Sequence, residues 1–216
     1  MGGGGAPEVT MHLYWQQAVI NVLLLCMLTA PHEFAHAWVA TRLGDDTPLL
    51  QGRVTMNPLA HIDRVGTVIL PLITSLLGLG FIGWGRPVYT TTGKLRGGLN
   101  GLLLVALAGP ASNIVLAGLL GVVAIATYAL WHAAFGFVVQ GIRLSLYLAI
   151  FNLLPVPPLD GSKLLLAARI PAVIYIEIAR FGFVLLLVLF QASNLGLFLN
   201  HCADWGTVTI LRSLGW

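Results

Sequence analysis

Between Arg96 and Arg143 the chain runs without a single lysine, arginine, aspartate or glutamate. A stretch this long and this rich in leucine, valine and alanine can fold only where water is kept from most of its surface. A membrane-spanning helix needs about 20 mostly apolar residues. The stretch therefore holds one span and most of another, with a turn near "YALWHAAFG", residues 128–136. Composition agrees with this. Only 9% of the 216 residues are charged, against about 25% in an ordinary soluble domain, and the mean hydropathy is +0.88. The formal net charge of +3 reads as basic cytoplasmic loops rather than a nucleic-acid surface, so no nucleic-acid partner is expected.

Further spans are expected over residues 17–41, up to about Leu154, and over residues 172–190, with a weaker apolar tail to Trp216. The fold class that follows is an all-α polytopic membrane protein, a bundle of about four to six transmembrane helices. It forms one membrane-embedded domain, residues 17–216, behind a flexible glycine-rich tail, residues 1–16. That tail has no basic start of the kind a cleaved signal peptide carries. Cys26 and Cys202 lie far apart in or beside apolar runs and read as small apolar fillers rather than a disulfide. Arg42, Arg53 and Arg64 follow the first span, and Arg86, Lys94 and Arg96 precede the next long one. Lysine and arginine mark the cytoplasmic side, and these two groups cannot share it if residues 65–85 cross the membrane once. That segment carries Pro71, Gly66, Gly78, Gly80 and Gly83. It is read as a re-entrant or broken hairpin, which needs protein or a wet cavity around it; a simple extra span is the alternative.

The first apolar run ends in "TAPHEFAHAWVA", residues 29–40. His32 and His36, four apart on a helix, share one face and can bind one metal ion. Glu33 points to the adjacent side, where it could take a proton from water. Zinc suits two imidazoles and a carboxylate with a fourth position left open, and it lowers the pKa of water held there to about 7. Three ionisable groups in one apolar helix would be costly without such a role. Only eight acidic residues exist, so the search for a third ligand is short. Asp160, in "FNLLPVPPLDGSK", directly follows an apolar span. Pro155, Pro157 and Pro158 break the helix there and predict a stiff, extended segment that could fix Asp160 beside the metal. Glu177 is expected to pair with Arg180 on its own helix.

"HEFAH" in one membrane helix with "NLLPVPPLDG" ending a later one resembles the site-2 protease family of intramembrane metalloproteases. "AGPASN", residues 108–113, is similar to the Gly-Pro-x-x-Asn signature of the intervening helix. The resemblance covers nearly the whole chain with its motifs in family order. It implies a zinc endopeptidase, one Zn2+ per chain, held by His32, His36 and Asp160, with Glu33 as general base and later acid. It also implies that Asn152 helps hold substrate or the oxyanion; the plainer role is bonding the broken backbone ahead of Pro155. Asn113 is a candidate substrate-binding residue or, with Gly109, a site of close helix packing.

"QGRVTMNPLAHID", residues 51–63, resembles a segment of compact bacterial members. Its alternation predicts a short β-strand or loop near the zinc site, where Val54, Thr55, Met56 and Asn57 would pair with an extended substrate. "GWGRPVY", residues 83–89, is expected to form a similar loop. His61 either tunes the site or faces the interface, and Trp15, Trp205 and Trp216 read as interface anchors. Larger members insert a PDZ domain. The few residues between the third and fourth spans leave no room for one there, so substrate selection is expected to come from elsewhere.

The expected partners are single-pass transmembrane protein substrates and the lipid bilayer. The expected place is a bacterial inner (plasma) membrane, with the active site toward the cytoplasm. The alternatives are a catalytically silent metal-binding membrane protein or transporter, and a membrane-embedded zinc hydrolase of soluble substrates. A transporter would favour ligands along a through-path and an internal repeat, whereas the sequence shows one cluster and no repeat.

Overall fold

The computed structural model describes residues 6–77 and 83–216. The glycine run that opens the chain, and Gly78 and Gly80 of the hairpin, lie outside the described residues. Among the described residues eight α-helices follow one another: α1 (Ala6–Arg42), α2 (Thr47–Leu50), α3 (Leu70–Leu76), α4 (Leu99–Leu130), α5 (His132–Asn152), α6 (Lys163–Ala167), α7 (Ala172–Ala192) and α8 (Leu195–Ser213). Four of them carry segments long and apolar enough to cross a membrane: Trp15–Arg42, Leu99–Leu130, His132–Asn152 and Ala172–Ala192. The protein is an all-α polytopic membrane bundle. The first helix begins at Ala6, well ahead of residue 17, because apolar content locates the membrane and not the end of a helix.

The uncharged stretch folds as an antiparallel pair, α4 and α5, turning at Trp131 as its apolar pattern requires. Leu24, Leu25 and Leu28 of α1 pack with Ala117 and Ala124 of α4 and with Val138, Ile142 and Tyr147 of α5. The tail packs back along α5. Leu199 and Ala203 of α8 are fully buried, and Trp216 stacks on Phe135 at 4.8 Å. Arg143, deep in α5, is not left facing lipid. Its guanidinium donates to Asp204 and to Asn200 Oδ1, both on α8, so a charge at membrane depth has a partner as expected. Glu177 and Arg180 lie 4.0 Å apart on α7, and both cysteines are free.

Residues 65–85 return to where they began. A π-turn (Arg64–Ile69) leads into α3, and then Trp84 N donates to Gly66 O (2.9 Å) and Arg86 N to His61 O (2.8 Å). Residues 64–76 at 1.5 Å per residue reach only ~20 Å, short of the ~30 Å hydrocarbon core. The two basic groups thus lie together, and Arg96 N donates to Leu43 O (2.8 Å).

Two local expectations need correction. Residues 51–57 are turn and bend with no strand. Asn57 Oδ1 caps the 3₁₀ turn Pro58–Ala60 by accepting from Leu59 N, and Thr55 O accepts from His61 Nε2. Local bonds consume the groups that a ladder would need. The proline segment before Asp160 is compact rather than extended: Val156 N bonds Leu154 O, Leu159 N bonds Val156 O, and Pro157 is fully buried.

Asp45, fully buried, fastens the two loops. Its carboxylate accepts from Thr47 N, Thr47 Oγ1 and Thr91 N. Burial pushes its pKa up, but these bonds and Lys94 outweigh it, and the pKa lies below the ordinary value. A depressed carboxyl stabilises the fold above the unfolded pKa of about 3.9, and that stability is lost as pH falls through the folded value. Hydrogen exchange at the Thr91 amide is therefore expected to accelerate only below about pH 4. Asp45→Ala is expected to remove that protection at neutral pH and cost about 1 kcal/mol, because the Thr47 and Thr91 amides it frees are only partly buried.

Candidate metal centre

His32 and His36 project from one face of α1, which places their Nε2 atoms 3.1 Å apart with the rings edge to face. Asp160, at the start of a 3₁₀ turn (Asp160–Ser162), brings Oδ2 to 3.1 Å from both nitrogens. Two donors from one turn of α1 and a third more than a hundred residues further along the chain thus form a nearly equilateral triangle. Zinc–ligand bonds of about 2.0–2.1 Å give a tetrahedron edge of about 3.3–3.4 Å. The triangle fits that set, with the fourth position left to other ligands. The two histidines are buried, and the Asp160 side chain is 23% exposed.

A second ring of contacts fixes the imidazoles. His36 Nδ1 donates to Val105 O at 2.7 Å. Asn113, fully buried on α4, sets its side-chain amide 3.2 Å from His32 Nδ1. Metal binding through Nε2 requires Nδ1 to carry the proton. That selects the amide orientation in which the Asn113 oxygen accepts from Nδ1, and it gives a partner to Oδ1, which otherwise has none. Gly109 completes the cradle. A Cβ at this position would lie 2.3 Å from His36 Nε2 and 2.6 Å from His32 Nε2.

Glu33 is buried beside the triad and faces the re-entrant segment, with Oε1 3.3 Å from where a Gly85 Cβ would stand. The triad and Glu33 open into a cavity of about 480 Å³. Its walls include Val105 and Asn113 of α4, Asn152 of α5, Trp84, Pro87 and Val88 of the irregular return segment, and Phe183 of α7. The structure brings His32, His36, Asp160, Glu33, Asn113 and Asn152 to one place. It does not bring Val54, Thr55, Met56 or Asn57 there. Residues 83–90 line the cavity instead. Asn152 Nδ2 donates to Leu148 O (3.0 Å), one turn back in its own helix, and not to the broken backbone ahead of Pro155. His61 is fully buried and donates to Thr55 O, which makes it a loop keystone rather than a cavity wall.

Comparison with known proteins points to the metal that such a site would hold. Over 190 residues the chain is 36% identical to the protein named "Putative zinc metalloprotease YwhC" of Bacillus subtilis (strain 168), covering 82% of this chain and 84% of that one. The chain belongs to this zinc metalloprotease family. It is also 38% identical over 146 residues to "Putative zinc metalloprotease Rip2" of Mycolicibacterium smegmatis, covering 65% of this chain and 52% of that protein. With "Putative zinc metalloprotease MJ0611" of Methanocaldococcus jannaschii it shares 34% identity over 104 residues, 46% of this chain and 50% of that one. The alignments thus span only about half the length of these last two relatives. No family model and no solved structure matches the chain.

The cofactor of this zinc metalloprotease is Zn2+, and the His32, His36 and Asp160 donors form a site able to hold it. Sequence reasoning missed the Val105 carbonyl and the bond from Asn113 to His32. Spacing along one helix says nothing about which atoms a neighbouring helix presents. Asn113→Leu is expected to lower zinc affinity about 10–100-fold, measured by chelator competition, while the helical content of the metalloprotease stays unchanged.

Proposed function

We propose that this zinc metalloprotease is a site-2-protease-like intramembrane endopeptidase that hydrolyses peptide bonds of single-pass membrane proteins within or beside the bilayer. The observation that carries the reading is the position of the donors. His32 and His36 lie inside the apolar segment Trp15–Arg42, and the cavity they face is walled by membrane helices and a re-entrant segment.

In this reading His32, His36 and Asp160 hold the metal, their geometry kept by Asn113, Val105 and Gly109. Bound zinc would supply Lewis acidity toward a peptide carbonyl and acidify water at neutral pH. Glu33 takes the proton from the attacking water and returns it to the leaving amine. The return segment 83–90 forms a wall against which an unwound substrate can lie. Asn152 holds substrate from the α5 side, which requires its amide to leave Leu148 O. Basic residues gather at the metal end of the bundle, among them Arg42, Arg86, Lys94 and Arg96. Their gathering supports a site toward the cytoplasm of a bacterial plasma membrane.

The test is cleavage by purified protein in bilayers of a transmembrane substrate and of the same sequence as a detached loop peptide. The reading expects the membrane-inserted form to be cut and a chelator to stop the reaction. Cleavage of the loop peptide alone would make the protein a membrane-embedded hydrolase of soluble substrates. Zinc binding with neither form cut would favour a silent metal-binding protein.

A further inference from the structure

We propose that Lys163 forms a carboxylate-recognising subsite in this cavity, so that the enzyme favours substrates carrying an acidic group close to the cleaved bond. The inference rests on the proteolytic reading of the site and adds a substrate class to it. Lys163 opens α6, three residues after Asp160, and lines the same cavity as His32, Glu33 and Asp160. It is the one lysine or arginine among the described residues that line this cavity. The ammonium is held in place: Nζ donates to Tyr175 Oη at 2.9 Å and lies 5.5 Å from the centre of that ring. Tyr175 Oη is itself 3.1 Å from Ser162 Oγ.

An ammonium has three donors, and Tyr175 takes one. Among the described residues no carboxylate lies within 4.0 Å of Lys163. The two carboxylates of the cavity, Asp160 and Glu33, are matched in charge by zinc when it is bound, so the positive charge of Lys163 has no counter-charge there. An unmatched charge in a site walled by apolar helices is costly, and a substrate carboxylate would relieve it through a charge-assisted hydrogen bond. A lysine that merely anchors the bundle to anionic lipid would extend away from the cavity. Lys163 instead lines the cavity and is tied to Tyr175 of α7. The carboxylate of an aspartate or glutamate side chain and that of a chain end share this chemistry.

The experiment uses the full chain, zinc-loaded, with Glu33→Gln to hold substrate without cutting it. Fluorescent apolar peptides with blocked ends carry a single aspartate, asparagine or lysine walked through the segment, and one further peptide has a free C-terminus. At one register the aspartate peptide is expected to bind at least about 10-fold more tightly than its asparagine twin, which is about 1.4 kcal/mol. Lys163→Glu is expected to reverse the preference toward lysine, and Lys163→Met, which keeps the stem, to erase it; zinc content reports that both variants fold. Preference for the free C-terminus alone would support the subsite and identify its ligand as a chain end. Equal binding at every register, a preference that survives Lys163→Glu, or a variant that alters only the dependence on anionic phospholipid would overturn it. Cleavage by the unsubstituted enzyme separates the two readings. Selective binding without cleavage sinks the protease reading alone, whereas cleavage indifferent to charge sinks the subsite alone.

Discussion

Gly109→Ala is expected to empty the metal centre. The added methyl would fall 2.3 Å from His36 Nε2 and 2.6 Å from His32 Nε2, where the donor atoms converge. A contact below 3 Å between a helix-borne Cβ and a ring nitrogen cannot be relieved by rotating a flexible chain end. Either α4 moves away from α1 or the imidazoles leave the triangle. Zinc affinity should fall by at least about 100-fold, the upper end of what disturbing a ligand's surroundings costs, and proteolysis should vanish with it. Gly118→Ala on the same helix is the control. It meets nothing within 4 Å, and its helix propensity gain of about 1 kcal/mol should leave zinc content intact. Equal zinc content in the two variants would mean that α4 does not approach α1 as described.

The second large effect is the converse, a protein that keeps its metal and loses its chemistry. Glu33→Gln preserves shape and changes one oxygen for an amide that cannot accept the proton of water. The expected result is unaltered zinc content with kcat reduced about 10²–10⁴-fold, the range ascribed to a positioned general base. Loss of zinc along with activity would move Glu33 from proton transfer to metal support. Unchanged kcat would remove it from the reaction.

The parts of the site that sequence could reveal were those fixed by local geometry or scarcity. His32 and His36 are four apart on a helix, so their convergence needs no tertiary knowledge. Asp160 stood out because few acids exist and most of the others have an evident local role. The lengths and turns of the apolar runs followed from the lack of charge, and the return of residues 65–85 from where the arginines fall. What stayed hidden depends on partners across the fold. Val105 offers a backbone oxygen, which has no residue signature. The bond from Asn113 to His32 depends on the rotation of α4 against α1. Residues 54–57 show the opposite failure. Their alternation is genuine, but Thr55 and Asn57 spend their polar groups on their own turn, and of the two loops expected near the site only the one at 83–89 lines the cavity. Arg143 and Asp204 looked unrelated because nothing in the tail announces that it will lie along α5.

The wide separation of the donors has a consequence for how the protein is made. Asp160 comes 128 residues after His32, beyond α4 and α5. When α1 enters the membrane, two imidazoles and a glutamate enter with it, but the triangle has only two corners. It closes only after the ribosome has passed Asp160 and α5 has brought that residue back to α1. Throughout that interval the nascent chain offers nearby helices two histidines and no complete centre. A newly made copy thus holds no complete set of metal donors until most of it has been assembled.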